Sequence, residues 1–319
     1  MSHGSLRPLL LHLAVIALLF ALQFILPAYH HGVLTRIMTL AVFAMGYNIL
    51  FGYTGLLSLG HAMFFSAGLY GAGLTVYHLG WSVPAGFIAG LASGLALATV
   101  IGFLALRTTG VAFMIVTLMF GQIFYLLTLY FAEYTRGEDG LVIDQAERVI
   151  EIGDIWINLT DPTTRYFTAW LLFSTVLLIT FFVVRRPLGR VLVAIRENEE
   201  RTRMLGYDTF AAKLGAVMVS GTISASAGAV YAMLFGYMGA TFADVQYSIL
   251  PLLWVLLGGA ATTLGPLIGT VFMYYIVDLS SGYTTAYLLV VGVALIVLIL
   301  FFPKGLMGTI RERWLPWLP

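Results

Sequence analysis

The segment from residue 185 to residue 213 constrains the fold of this chain more than any other stretch. It carries seven basic side chains in 29 positions, in a sequence of which only 10% is charged, and long apolar runs flank it on both sides. Each arginine placed in hydrocarbon would cost about 2.5–3.5 kcal/mol. The segment therefore lies in water between two membrane spans, and its basic excess predicts the cytoplasmic side.

The middle of segment 185–213 predicts one short amphipathic helix over 191–204, with charged residues on one side and apolar residues on the other. The apolar residues expected to share a side are Leu192, Ile195 and Leu205. Gly206 is expected to end this helix, and Asp208 to cap the helix that returns to the membrane. An amphipathic helix at a membrane surface indicates a docking site for a soluble partner.

Composition supports an all-α polytopic membrane protein. Hydrophobic residues make up 60% of the chain and its mean hydropathy is +0.95, whereas soluble domains contain about 45–50% apolar residues. The chain has no cysteine, which excludes disulfides, thiol nucleophiles and cysteine-ligated metal sites. The net charge of +1 gives no reason to expect nucleic acid as a partner, and membrane lipid is the expected surrounding.

Ten apolar stretches predict about ten transmembrane helices, some short or broken, within a single membrane domain over residues 1–319. They are 9–28, 33–51, 57–78, 83–106, 111–131, 166–185, 214–236, 248–262, 266–280 and 283–302. The first is longer than the apolar region of a cleavable signal peptide, so an uncleaved span is expected. The pair 248–262 and 266–280 is short because a Gly/Pro cluster divides it.

Charge in the other loops predicts the orientation. Loop 132–165 holds eight acidic and three basic residues, so it lacks the basic excess of a cytoplasmic loop. A chain that starts inside and crosses ten times places this loop outside, and segment 185–213 and both termini in the cytoplasm. Alternation over 149–157 predicts a short strand or hairpin, and the loop is either a solvated connector or a platform for an exterior partner.

Two stretches at membrane depth, 52–68 and 258–266, are rich in small residues. Irregular backbone there is tolerated only where it is buried in protein or lines a cavity, and paired breaks in two halves of a chain point to a transport pathway. Close packing of helices through small residues is the alternative. The predicted helix breaks are Gly52, Gly55, Gly60, Gly258, Gly259, Gly265 and Pro266.

Polar or aromatic groups within the apolar spans are the candidates for the lining of a translocation pathway. They are Asn48, Ser58, His61, Phe65, Gln122 and Ser220. Each can instead form interhelical hydrogen bonds, and for His61 such a packing role is favoured over a proton relay. Ionisable residues are almost absent from the spans, so we expect the central spans to hold no charge-paired site for a zwitterionic amino acid.

Motifs for catalysis and nucleotide binding are absent. The chain contains no P-loop, His-Glu-x-x-His or Gly-x-Ser-x-Gly motif, and its only lysines are Lys213 and Lys304. We therefore expect no enzymatic activity, no catalytic residues, and neither cofactor nor metal bound by this chain. A metal site at the adjacent pair His30 and His31 is the alternative to a role as polar residues at the membrane interface.

Several motifs occur in order along the chain: YNILFGYTGLLSLGHA at 47–62, LRTTG at 106–110, TLMFGQI at 117–123, GEDGL at 137–141, GRVLVAIRENE at 189–199, LGG at 257–259, GP at 265–266 and FPKGL at 302–306. In these motifs the chain resembles the permease subunits of ABC importers for branched-chain (hydrophobic) amino acids, the LivM type. The chain departs from the family pattern at three places. Leu250 stands where the family often has an acid, Ala261 where it usually has glycine, and Arg136 in place of the first glycine of a pair.

The resemblance implies partners in a bacterial inner membrane: a second related permease, two cytoplasmic ATPase subunits that bind ATP and magnesium, and a periplasmic solute-binding protein. It also implies that the ATPases dock on segment 185–213. The coupling residues expected there are Gly189, Arg190, Ala194, Ile195, Arg196, Glu197, Asn198 and Gly206. Importers of urea, amides and aromatic acids use similar permeases, so the solute stays open. A secondary carrier or channel without an ATPase is the alternative function.

Overall fold

The computed structural model describes residues 6–152 and 155–313, and helices dominate it. The helices are α1 (Leu6–Ile25), α2 (Ala28–Asn48), α3 (Ala62–Leu79), α4 (Val83–Ala105), α5 (Val111–Tyr130), α6 (Ala132–Thr135), α7 (Pro162–Arg185), α8 (Pro187–Glu197), α9 (Glu199–Met204), α10 (Thr209–Phe235), α11 (Val245–Gly258), α12 (Gly265–Tyr283), α13 (Tyr287–Phe301) and α14 (Gly305–Arg313). A π-helical turn, Ile49–Tyr53, extends α2. The strands are β1 (Leu141–Val142), β2 (Val149–Ile152), β3 (Ile155–Asn158) and β4 (Tyr237–Met238).

Helices occupy the places of all ten predicted spans. Within the described residues, six are long and apolar enough to cross a membrane by length and composition. These six are Arg7–Ile25, Ala28–Tyr53, Val83–Ala105, Val111–Tyr130, Pro162–Arg185 and Thr209–Phe235. The all-α architecture is therefore confirmed, while the number of ten crossings stays a prediction.

Helices α2 and α10 form the centre of the bundle. In their most apolar windows, 89% and 78% of the residues are buried, against 22% in α1 and in α5, so α1 and α5 lie at the periphery. The centre is dense because small residues let helices approach closely. At Gly228 of α10, a Cβ atom would lie 1.9 Å from the carbonyl oxygen of Phe65 in α3, which leaves room only for glycine.

Loop 132–165 folds back onto the end of α10. Strand β1 pairs with β4 in antiparallel register, Leu141 opposite Met238. Strands β2 and β3 form the hairpin that the alternation predicted, and its bend at residues 153–154 lies outside the described residues. Arg148 is buried and donates to the carbonyl oxygen of Leu234 at 3.3 Å, which fastens the loop to α10. Burial, with a smaller effect from Arg165, lowers the pKa of Arg148.

Segment 185–213 differs from its prediction in one respect. The expected single helix over 191–204 is wrong: α8 and α9 are separate helices with Asn198 between them in an extended conformation, φ −161°. The Asn198 Oδ1 accepts from the amide of Arg201 at 2.9 Å and caps α9. Because α9 starts anew, Leu205 does not join the buried side with Leu192 and Ile195, and its side chain is 77% exposed.

Both predicted boundaries at the end of the segment are confirmed. Gly206 follows the last turn of α9 with φ +89°, a conformation that glycine adopts without strain. Asp208 caps α10, since its Oδ1 accepts from the amide of Ala211 at 2.9 Å. These two residues return the chain from the charged segment to the centre of the bundle.

Candidate functional site

Two non-helical stretches interrupt the helices: the first break, residues 54–61, between the π-turn and α3, and the second break, residues 259–264, between α11 and α12. Asn48 links the second break to the end of α2, next to the π-turn that leads into the first break. Its Oδ1 accepts from the amide of Ala261 at 3.0 Å, and its Nδ2 donates to the carbonyl of Thr262 at 2.9 Å. Asn48 is fully buried, so it holds the second break against the end of α2.

The predicted break residues lie in the π-turn, in the two breaks and at the adjoining ends of α11 and α12. Gly52 lies in the π-turn, where a Cβ atom would meet Asn48 Oδ1 at 2.0 Å and the Ala261 amide at 2.6 Å. Gly55 and Gly60 lie in the first break, Gly258 ends α11, Gly259 opens the second break with φ +114°, and Gly265 and Pro266 begin α12. The π-turn before the first break and the second break, which are far apart in the sequence, are thus in direct contact.

Side chains from two further helices reach the second break. His12 of α1 is fully buried, and its Nε2 lies 2.6 Å from the hydroxyl of Thr263. Arg311 of α14 donates to the carbonyl of Ala261 at 3.2 Å. The sequence analysis missed both residues, although a histidine within the first apolar run and an arginine in the terminal basic cluster were visible signals.

Arg196, at the end of α8, reaches the first break. Its Nη1 donates to the carbonyl of Gly52, and its Cγ lies 3.0 Å from the position that a Cβ of Gly55 would take. A cleft beside it is lined by Tyr53, Val184, Arg185, Val193, Arg196, Glu197, Ala261 and Arg311. Arg196 therefore connects segment 185–213 directly to the broken helices.

The remaining predicted coupling residues divide into buried and exposed groups. Gly189 and Ile195 are buried, and a Cβ at Gly189 would lie 2.1 Å from the carbonyl oxygen of Val184, so this glycine allows the tight corner between α7 and α8. Ala194 is half-buried, and Arg190, Glu197, Asn198 and Gly206 are exposed. A shallow groove between α8 and the end of α9 is lined by Pro187, Arg190, Val191, Ala194 and Tyr207.

An ion pair fixes α9 to α10. Lys213 Nζ lies 2.6 Å from Glu199 Oε1, and the lysine side chain is buried. Burial is the largest single effect and acts to raise the pKa of Glu199, but the hydrogen bonds from Lys213 and Thr209 and the charges of Lys213 and Arg203 together outweigh it, so this pKa lies below its ordinary value. Segment 185–213 is thus a rigid element anchored on both flanking helices.

The candidates for the pathway lining lie mostly in the centre of the bundle. Asn48, Ser58, His61, Phe65 and Ser220 are fully buried, and Gln122 is half-buried on α5. The structure brings His61 and Ser220 together: His61 Nε2 lies 2.8 Å from the Ser224 hydroxyl and 3.4 Å from the Ser220 hydroxyl. The Ser220 hydroxyl donates to the carbonyl of Gly46 at 2.6 Å. In this arrangement His61 and Ser220 form hydrogen bonds between helices.

One basic residue contradicts the expectation of uncharged central spans. Arg36 lies in α2, within the predicted span 33–51, and is exposed although its neighbours Thr35 and Ile37 are buried. Arg36 was not singled out from the sequence because it is a single charge in a long apolar run.

The adjacent histidines, His30 and His31, contact aromatic residues of other helices. His30 lies 3.2 Å from the Tyr275 hydroxyl, and His31 packs on Tyr166. Among the described residues no group of three possible metal ligands includes them.

Comparison with known proteins agrees with this architecture. The family model described as the permease component of the branched-chain amino acid transport system matches residues 29–301. The high-affinity branched-chain amino acid permease LivM of Salmonella typhimurium is 27% identical over 94% of this chain and 75% of its own length. LivH of Escherichia coli is 23% identical over 85% of this chain and 91% of its own length.

A more distant likeness is to LsrC of Photorhabdus laumondii, an autoinducer 2 import permease, which is 26% identical over 40% of this chain and 37% of its own length. No solved structure matches the chain. Together with the apolar helices, these findings show a multi-pass membrane protein of a transport family. They do not favour a secondary carrier or channel.

Proposed function

Because this chain belongs to the family of permease components of branched-chain amino acid transport systems, we propose that it is a membrane-spanning subunit of an ABC importer. It moves branched-chain or hydrophobic amino acids, or a related small solute, across a bacterial inner membrane. A periplasmic binding protein delivers the solute, and ATP hydrolysis in separate subunits drives the movement. The likeness to both LivM and LivH supports pairing with a second, related permease.

The contact between Arg196 and Gly52 is the observation that carries the mechanism. Two ATPase subunits dock on the groove along α8, and their closure moves α8 as a rigid body. Arg196 passes this motion to the π-turn, and Asn48 passes it on to the second break. Coupling of this kind needs an element with two discrete positions, and the anchored pair α8 and α9 supplies it.

Two variants separate docking from transmission. Ala194→Arg places a long side chain in the docking groove, and we expect it to prevent co-purification of the ATPases. Arg196→Gln leaves the groove intact, and we expect retained co-purification and ATP hydrolysis with at least tenfold lower uptake. Both are measured in vesicles that contain the complete complex. Arg201→Gln, an exposed arginine on α9, is the matched control and keeps uptake within about twofold of the unmodified chain.

Normal assembly and transport by Ala194→Arg would contradict docking at this groove. Equal loss of hydrolysis and uptake in Arg196→Gln would place Arg196 in assembly rather than in transmission. Uptake in vesicles that lack any ATPase subunit would contradict the importer assignment itself.

A further inference from the structure

Arg36 is an uncommon charge in its setting. It lies eight residues from the start of α2, about 12 Å along the helix axis, in a helix that is otherwise mostly buried. With the described residues Arg36 forms no ion pair and no hydrogen bond. A basic side chain within a membrane span is costly, and such residues most often mark a ligand or ion path.

Aromatic side chains of neighbouring helices lie around this guanidinium. It lies 5.1 Å from the ring centroid of Phe235 and close enough to the hydroxyls of Tyr231 and Tyr247 to interact electrostatically with both. Tyr274 of α12 lies near Tyr231 and interacts electrostatically with it. All three tyrosines are half-buried, and none of their hydroxyls bonds to a residue in the described part of the chain. The guanidinium and the three hydroxyls can therefore all donate hydrogen bonds to a ligand.

The location connects this cluster to the candidate pathway. The ring of Tyr247 lies 5.3 Å from that of Phe65, and the ring of Tyr231 lies 5.8 Å from it. Phe65 and His61 in turn both pack on Phe43. The cluster lies at the end of α10, where loop 132–165 attaches through Leu234, on the side predicted to be exterior. A solute entering from that side would meet Arg36 before the buried centre.

We propose that Arg36, with the hydroxyls of Tyr231, Tyr247 and Tyr274, forms an entry site for the carboxylate of the transported solute. The inference rests on the proposed function and narrows its substrate class. A guanidinium binds a carboxylate through two parallel hydrogen bonds, and tyrosine hydroxyls donate further ones. Phe235, Phe242 and Phe65 supply an apolar wall for a hydrophobic or aromatic side chain. Urea and simple amides have no carboxylate, so this site does not select them.

A lipid phosphate could also pair with an arginine, but the surroundings favour the solute. A protein surface that faces lipid tails is apolar. The three tyrosine hydroxyls of the cluster indicate instead that a polar ligand binds there. Arg36 forms no ion pair with an acidic side chain in the described part of the chain, so it offers its charge to the carboxylate of a zwitterion. Binding through this one charge is weak enough for release toward the centre.

The test uses the complete complex in vesicles, with leucine, benzoate, urea and acetamide as the probes for ATP-dependent uptake. We expect the unmodified complex to take up leucine or benzoate. Arg36→Gln lowers that uptake at least tenfold while the complex still assembles, and Arg36→Lys retains more of it. Arg136→Gln, which removes an exposed arginine from loop 132–165, is the matched control and changes uptake by less than about twofold. Uptake of urea or acetamide alone would overturn the inference.

A second readout does not depend on how well Arg36→Gln folds. The chain has no cysteine, so Arg36→Cys gives this chain a single thiol for a methanethiosulfonate reagent, and the complex with the unmodified chain is the control for thiols of the partner subunits. The positively charged aminoethyl reagent is expected to restore uptake several-fold, and the negatively charged sulfonatoethyl reagent is not. Failure of both reagents to label the thiol, or equal effects of the two, would overturn the inference.

Lipid binding and failure of the proposed function give different results. If the effect of Arg36→Gln disappears in vesicles of phosphatidylcholine without phosphatidylglycerol, Arg36 binds a lipid phosphate and the inference is wrong. Absence of ATP-dependent uptake by the unmodified complex contradicts the proposed function instead. Labelling of Arg36→Cys then still decides whether position 36 faces water.

Discussion

The first and second breaks are closed in different ways. The first break packs by its backbone against α5, where a Cβ atom at Gly60 would lie 1.8 Å from the carbonyl oxygen of Thr117, and hydrogen bonds with the hydroxyls of Tyr47 and Thr117 also hold it. The second break is closed by side chains from three helices, His12, Asn48 and Arg311. Both lie at membrane depth, where each unpaired backbone group is costly.

Because of this difference, we expect the two breaks to move in different ways. A contact between backbones has no side chain that can rotate away, so the first break moves together with α5 at Gly60. Side-chain hydrogen bonds can be exchanged one at a time, so the second break can change shape while its neighbours stay in place. We interpret the first break as the part that receives motion from Arg196, and the second as the part that yields.

The largest effect is expected from Gly60→Ala. The added Cβ must displace the carbonyl of Thr117 and with it α5, and overpacking of this kind costs about 1–3 kcal/mol or more. We expect loss of the assembled complex from solubilised membranes, measured by size-exclusion chromatography. Gly215→Ala is the matched control, because nothing lies within 4 Å of its Cβ position. Normal assembly of Gly60→Ala would show that the first break has as much freedom as the second.

Asn48→Leu is expected to have an intermediate effect. It removes both hydrogen bonds to the second break and leaves the Ala261 amide and the Thr262 carbonyl unpaired, at about 1–3 kcal/mol each. We expect an assembled complex with a lower unfolding temperature and little uptake. Asn48→Asp keeps the acceptor for the Ala261 amide and loses the donor to Thr262, so it tests the two bonds separately. Full transport by Asn48→Leu would remove Asn48 from the coupling route.

Local patterns predicted the elements better than their connections. The caps at Gly206 and Asp208 and the hairpin over 149–157 depend on neighbouring residues, and the sequence contained all that they need. The bond between Asn48 and Ala261 joins residues 213 positions apart, and no local pattern encodes it. The sequence predicted Asn198 to lie within a single helix. Its capping bond with the amide of Arg201 forms only because the chain bends at Asn198, and no local pattern indicated that bend.

Two departures from the family pattern acquire a physical meaning in the structure. Arg136 and Ala261, where the resemblance leads one to expect glycine, are the two non-glycine residues with positive φ in the described part of the chain, at +57° and +56°. A residue with a Cβ costs about 1–2 kcal/mol in this left-handed conformation. Local backbone strain is therefore the structural consequence of both departures.

The smallest expected effect tests this strain within the second break. Ala261→Gly relieves the left-handed conformation, while both hydrogen bonds of residue 261, from its amide to Asn48 and from Arg311 to its carbonyl, belong to the backbone and are kept. The greater freedom of glycine in the unfolded chain takes back about 0.4–1 kcal/mol, so the net gain is roughly 0.5–1 kcal/mol. We expect a rise of about 1–2 °C in the unfolding temperature of the solubilised protein, measured by intrinsic fluorescence.

The control is Ala260→Gly, at the neighbouring position without positive φ, which is expected to lower the unfolding temperature. If both variants lower the unfolding temperature alike, residue 261 is not strained, and the second break is held by its side-chain bonds alone.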